Sequence, residues 1–262
     1  MRKFVVCVKQ VPETNELKII PNANKVSKEG VSTIINPFDQ FALEEAIKIR
    51  KEGDEIIAVS IGDPETKSTI MRCLALGADK GILLNDENFQ ESDTYATSNI
   101  LAAAIKKIGD YSIIFCGNSS FDTGLGQVGP ELAALLDIPQ ATYVENVEKI
   151  ENDKLIVKAQ TDEGYNIIES TIPLVISCIP PSSFQPSIPP LPKILAAQKK
   201  PFEIWDADDI GGDKSKYGST GSLIKILKLY EPPKREQGIV ITDEPDMAVE
   251  KLMEFLSKDK VI

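Results

Sequence analysis

The chain has 262 residues, 42% hydrophobic and 26% charged, which is enough for one large α/β domain with an extension. Its formal net charge of -11, from 29 basic and 40 acidic residues, argues against nucleic acid or an anionic membrane as the main partner, since both are polyanions. There is no histidine, which removes Ser-His-Asp and Cys-His catalysis and the commonest metal ligand together.

The four cysteines, Cys7, Cys73, Cys116 and Cys178, are far apart, without a CxxC pair. They read as buried, inert thiols in a reducing cytoplasm. The opening MRKFVVCVKQVPE carries charge early, and its apolar run is too short for a signal peptide. No run approaches the roughly 18 apolar residues of a membrane span, so no membrane insertion is expected.

In chain order, Lys3 to Val11 is predicted as a strand, apolar on both faces and stopped by Pro12. Leu17 to Ile35 reads as irregular or hairpin-like, with Asn22, Asn24 and Gly30 as turn residues. Asn36 is a candidate N-cap, with Pro37 at the first position of a helix that runs to about Lys51 and closes at Gly53. A strand over Glu55–Ile61, a helix over Glu65–Leu76 and a strand over Gly81–Leu84 follow. Ser92-Asp93 opens the next helix, which ends near Gly109.

The stretch from Tyr111 to Leu136 carries the strongest functional signal. An apolar strand, Tyr111–Cys116, runs into a loop of small and polar residues, Gly117–Gly126, and a helix is predicted from Gln127. Free backbone N–H groups and a helix N-terminus converge there, as anion binding requires. Gly124-Leu125-Gly126-Gln127-Val128-Gly129 spells GxGxxG. The dinucleotide fingerprint belongs at the first strand-to-helix turn, whereas this match comes late and after a long loop. A flexible loop feeding a helix start and a phosphate loop outside the Rossmann pattern both remain open.

Beyond it, Thr142–Val147, Lys154–Thr161 and Tyr165–Thr171 read as antiparallel strands, and Leu174–Ile179 as a buried one. The proline-dense Pro180–Pro192 interrupts regular structure, and a short helix over Ile194–Lys199 follows. The expected fold is α/β: a doubly wound, mostly parallel sheet with an antiparallel hairpin. Residues 1–192 form the predicted α/β nucleotide-binding domain, and 193–262 an underpacked C-terminal arm that packs on a partner.

Several stretches together resemble the β subunit of electron-transfer flavoproteins. They are Val8-Lys9-Gln10-Val11-Pro12; Asn36-Pro37-Phe38-Asp39 with Phe41 to Ala46; Ala58 to Gly62; and Ala75 to Asp79. The others are Asp122-Thr123 with Gln127 to Pro130, Ile138-Pro139-Gln140, and Leu191-Pro192-Lys193-Ile194 before Lys199-Lys200. The resemblance covers nearly the whole chain. The loop departs from the family's usual run, because Ser119 to Gly126 here separates the strand from Gln127.

The resemblance implies a heterodimer with an α subunit, which the C-terminal arm embraces. It places the β-subunit nucleotide site on Cys7, Val8 and Lys9; on Asn36, Pro37, Phe38 and Asp39; on Ile61 and Gly62; and on the loop. The loop residues are Gly117, Asn118, Ser119, Ser120, Phe121, Asp122, Thr123, Gly124, Leu125, Gly126, Gln127 and Val128. Asn36 and Asp39 can hydrogen-bond adenine or ribose, or serve as helix caps. Leu191 is similar to the residue with which the family's β subunit docks a partner dehydrogenase.

Lys9-Gln10-Val11-Pro12 resembles the electron-bifurcating branch, in which this site holds FAD and NADH donates to it. Electrons would then pass to a low-potential ferredoxin or flavodoxin and, through the α-subunit FAD, to a dehydrogenase of acyl-CoA or lactate type. The other branch, a plain carrier, holds structural AMP. From other classes, the pattern admits an adenine-nucleotide-binding regulatory module or a Rossmann dehydrogenase acting alone. No catalytic side chain and no metal ligand are expected.

Overall fold

The computed structural model describes residues 1–13, 19–20, 25–27, 30–151, 153–230 and 238–261. In chain order the strands are β1 (Lys3–Cys7), β2 (Gln10–Pro12), β3 (Ile19–Ile20), β4 (Lys25–Val26), β5 (Thr33–Ile35), β6 (Glu55–Ile61) and β7 (Lys80–Leu84). They continue with β8 (Ile113–Gly117), β9 (Gln140–Glu151), β10 (Lys154–Thr161), β11 (Gly164–Thr171), β12 (Leu174–Cys178) and β13 (Phe202–Trp205). The helices are α1 (Pro37–Ile49), α2 (Lys67–Leu76), α3 (Thr94–Ile108), α4 (Val128–Leu136), α5 (Leu191–Ala197), α6 (Ala207–Ile210), α7 (Gly218–Gly221) and α8 (Pro245–Lys258).

Nine strands form one sheet in the order β11-β10-β9-β12-β8-β1-β6-β7-β13. From β9 to β13 every neighbouring pair is parallel, and β9-β10-β11 is an antiparallel meander at one edge. The central strands are apolar on both faces because helices cover both. Phe4, Val6 and Val8 pack with α1 and α2, whereas Val5 and Cys7 pack with α3 and α4. This is the doubly wound, mostly parallel sheet with an antiparallel hairpin that the pattern predicts. All four cysteines are buried free thiols. No described helix is long and apolar enough to cross a membrane.

The structure revises two stretches. The first strand stops at Cys7, before Val11, because the next free amide, that of Lys9, donates to the Asp39 side chain and leaves the ladder. Val11 belongs instead to β2, which pairs with β5 in a separate two-stranded ribbon. Part of the hairpin expected within 17–35 is the β3–β4 pair, while Leu17, Asn22 and Asn24 lie outside the described residues.

The second revision concerns the chain after Pro192. The described chain divides into compact units Met1–Leu227 and Lys228–Ile262. The first unit extends past Pro192 because Phe202–Trp205 adds a parallel edge strand beside β7. Trp205, Ala207, Ile210 and Tyr217 then bury themselves on the α3 side. Four strand residues between Pro201 and Asp206 are too short a run to show a period, and the exposed edge of β7 decides their conformation. In the second unit, α8 shows exposed Met247, Val249, Leu252, Met253 and Phe255.

One cap ties sequence to packing. Asp93 accepts from Ala96 N–H (2.8 Å) at the start of α3, and from Leu223 N–H (2.7 Å) and Ile224 N–H (3.0 Å) after α7. Asp93→Ala is expected to destabilise the protein by about 1–3 kcal/mol, the loss of a cap plus two further acceptor contacts, read from urea unfolding midpoints. A loss below ~0.5 kcal/mol would show that water replaces these contacts.

Candidate functional site

The chain begins in the middle of the sheet with β1, steps outward to β6 and β7, and then returns to β8 on the other side of β1. The strand order therefore reverses between β1 and β8. At such a switch point the connections leave on opposite faces, and a crevice opens at the carboxyl ends of the strands. The end of β1, the N-terminus of α1 and the loop after β8 meet there.

Asp39 lies at the base of this crevice, in the first turn of α1 and almost fully buried. Its Oδ2 accepts from Lys9 N–H (2.7 Å) and its Oδ1 from Gly117 N–H (3.0 Å), so one carboxylate joins the ends of β1 and β8. Burial pushes its carboxyl up to about 7, against the opposing pull of those amides, the Asn36 side chain and the Lys9 charge. With both oxygens committed inward, Asp39 positions the two strand ends.

Asn36 stands at the N-cap of α1, and its carbonyl accepts from Asp39 N–H and Gln40 N–H (both 2.9 Å). Its side chain makes no cap hydrogen bond. Instead Nδ2 donates to Ser119 O (2.8 Å) and Oδ1 accepts from Phe121 N–H (3.1 Å), so the buried amide clamps the loop. The Lys9 ammonium reaches both Asp122 carboxylate oxygens at 2.8 Å. Partial burial raises the Asp122 carboxyl, and the adjacent ammonium more than reverses this, holding it below the usual carboxylate range.

The loop itself is small and open. Asn118 N–H donates to Cys178 O (2.7 Å), which fixes its start, and the Ser120 and Thr123 hydroxyls bond at 2.6 Å. Gly124 and Gly126 have φ of +69° and +65°, the left-handed region that favours glycine. A Cβ on Gly117 would sit 2.2 Å from Asp39 Oδ1. The third glycine of the GxGxxG run serves packing, since a Cβ on Gly129 would lie 2.1 Å from Ser177 Oγ. Residues 121–127 are exposed, Phe121 to 46%, although the Asp122 side chain turns onto Lys9 and is only 22% exposed.

The predicted site residues separate by where the structure places them. Lys9, Asn36, Asp39, Gly117, Ser119, Phe121 and Asp122 form one hydrogen-bonded network. Asn118, Ser120, Thr123, Gly124, Leu125, Gly126, Gln127 and Val128 lie along the same loop and the start of α4, and Pro37 and Phe38 begin α1. Cys7 and Val8 are buried on opposite faces of the sheet. Ile61 ends β6, and Gly62 turns toward β7 through Gly62 N–H to Leu84 O (3.1 Å). Leu191 stands apart, 67% exposed at the start of α5.

The sequence reading missed a polar cluster beside α4. Thr94 Oγ1 donates to Gln127 Oε1 (2.8 Å), and Ser98 Oγ donates to Glu131 Oε2 (2.9 Å). It equally missed the Lys9–Asp122 pair, whose partners are 113 residues apart. No local pattern encodes either contact.

Among the described residues, this crevice offers neutral donors, the Lys9 ammonium and a helix N-terminus. Such a set holds and orients an anionic group. A doubly wound α/β sheet with a glycine-bearing loop at its switch point has the crevice in which ligands of such sheets bind.

The electron transfer flavoprotein domain matches residues 24–210. The chain is 42% identical to the electron transfer flavoprotein subunit beta of Thermoanaerobacterium thermosaccharolyticum, over 99% of both chains. It is 38% identical to the caffeyl-CoA reductase-Etf complex subunit CarD of Acetobacterium woodii, over 92% of each. It is 33% identical to the acryloyl-CoA reductase electron transfer subunit gamma of Anaerotignum propionicum, over 99% of this chain and 100% of that one. The chain belongs to the electron transfer flavoprotein family, as a β subunit.

Proposed function

We propose that this chain is the β subunit of an electron-bifurcating electron transfer flavoprotein and holds an FAD in the crevice between β1 and β8. The observation that carries this is the glycine-bearing loop 117–127, fastened to β1 and α1 at the switch point and leading into the N-terminus of α4. The residues fit an adenine dinucleotide's phosphates. Gly117 leaves no room for a side chain at the loop's root, space stays open around Gly124, and amides and hydroxyls supply the donors. When bound, FAD would supply the redox chemistry, two-electron exchange with NADH and one-electron transfer onward.

The chain's own residues bind and orient. Asp39 fixes the spacing of the two strand ends, Asn36 fixes the loop, and the loop amides with the α4 N-terminus face the phosphates. The acceptors are a low-potential ferredoxin or flavodoxin and, through the FAD of an α subunit, a dehydrogenase. An acyl-CoA-type dehydrogenase is favoured over a lactate-type one because two relatives carry names of CoA-ester reductases. The unit from Lys228, with the exposed apolar residues of α8, is the arm that packs on the α subunit, in the cytoplasm.

The second reading is a plain carrier with AMP in the same crevice, whose single phosphate the loop hydroxyls and the Lys9 ammonium also suit. Denaturing the purified heterodimer and counting what it releases separates the two. Two FAD per heterodimer support the bifurcating reading, and one FAD with one AMP overturns it. Leu191→Ala is expected to slow electron transfer to the dehydrogenase about tenfold or more while leaving NADH oxidation unchanged, because an exposed leucine beside Pro190 and Pro192 makes a rigid docking point. Stopped-flow traces of both steps check it, and equal slowing would make Leu191 structural.

A further inference from the structure

We propose that Lys9 and Asp122 form a counter-ion latch, in which Asp122 occupies the Lys9 ammonium until the phosphate of an incoming nucleotide takes its place. This rests on the nucleotide reading of the crevice and names the group that recognises the phosphate charge.

Three features of the geometry point to it. First, Lys9 is anchored at its backbone, while its ammonium is held by the partly exposed pair with Asp122. Its N–H donates to Asp39 Oδ2 (2.7 Å) and its carbonyl accepts from Asn36 N–H (2.9 Å), while its side chain is 45% exposed. The ammonium can therefore swing without disturbing β1. Second, the loop does not depend on the ion pair. Asn36 holds it at Ser119 and Phe121, so releasing Asp122 leaves the loop fastened. Third, residues 117–128 contain no Lys or Arg, and among the described residues Lys9 is the cation paired with this loop.

As it stands the pair is neutral, with both Asp122 oxygens 2.8 Å from the ammonium. An ion pair this exposed contributes only about 0–1 kcal/mol, so giving it up costs little. A phosphate replaces it with a charge-assisted bond of greater strength, supported by the loop amides. Asp122 thus weakens phosphate binding by competing for Lys9, and it excludes weaker anions from the empty loop. The recognised class is a phosphate ester. A bare nucleoside leaves the latch shut.

The test uses the full-length chain freed of nucleotide, titrated by calorimetry with adenosine and with AMP. The ratio of the two Kd values reports what the phosphate adds. Asp122→Asn removes the competitor and should raise that ratio about two- to fivefold; Lys9→Met should lower it about tenfold. A ratio that is unchanged or lower in Asp122→Asn overturns the latch and leaves the nucleotide reading intact. If Asp122→Asn does not fold, Lys9→Met decides alone, and an unchanged ratio overturns the latch. A wild-type chain that binds neither adenosine nor AMP overturns both.

Discussion

Across pH ~4 to ~8, the wild-type protein is expected to lose about 4 kcal/mol of stability relative to Asp39→Asn. The cause is the buried carboxyl that joins β1 to β8. Its folded value is raised from 3.8 to about 7, chiefly by burial, so the folded state holds this proton more tightly than the unfolded chain does. The stability that this contributes is fully present below about 3.8, falls as the pH rises, and is gone once the pH passes about 7. Asparagine does not titrate. It also satisfies only one of the Lys9 and Gly117 amides and turns an N–H₂ toward the other, a roughly constant cost of about 1–3 kcal/mol. The difference between the two unfolding curves therefore isolates the titration, which urea midpoints at four or five pH values would show. A difference constant to within ~1 kcal/mol would mean that Asp39 stays ionised, its two amide donors outweighing its burial.

Gly117→Ala is expected to cost about 3 kcal/mol and to empty the crevice of nucleotide. The added Cβ would stand 2.2 Å from Asp39 Oδ1, 2.7 Å from Phe38 Cβ and 2.9 Å from Asp39 N. These atoms belong to the first turn of α1, which cannot retreat without dragging Asn36 off the loop. Gly124→Ala is the control. It meets nothing within 4 Å, and only its left-handed φ of +69° opposes it, a strain of about 1–2 kcal/mol. The nucleotide content of the two purified variants, read from absorbance spectra, should differ several-fold. Equal retention would show that the loop tolerates displacement of its root.

The parallel core was legible because strands covered on both faces are apolar throughout, as Phe4 to Val8 and Ile56 to Val59 are. Helix ends were legible where a residue type has one use there. Asp93 caps α3 and Gly77 ends α2 as their types predict. The loop after β8 was legible as a place, though not as a set of contacts. Asn36 in Asn-Pro reads equally as a cap or a ligand, and only tertiary geometry shows its side chain spent on Ser119 and Phe121. Asp39 reads as a polar first-turn residue, and nothing local reveals that its oxygens face two strand ends 30 residues before and 78 residues after it in the chain. Phe202–Trp205 was missed for a related reason: an edge strand of four residues takes its conformation from the neighbour it pairs with.

The central claim is that the loop after β8 grips the phosphates of an adenine-bearing cofactor. A crystal structure of the assembled complex with its native nucleotide tests this most directly. The expected result is phosphate oxygens within about 3 Å of backbone N–H groups from residues 118–128, with Asn36 still clamping Ser119 and Phe121. A nucleotide seated elsewhere, with this loop closed on its own side chains, would contradict it.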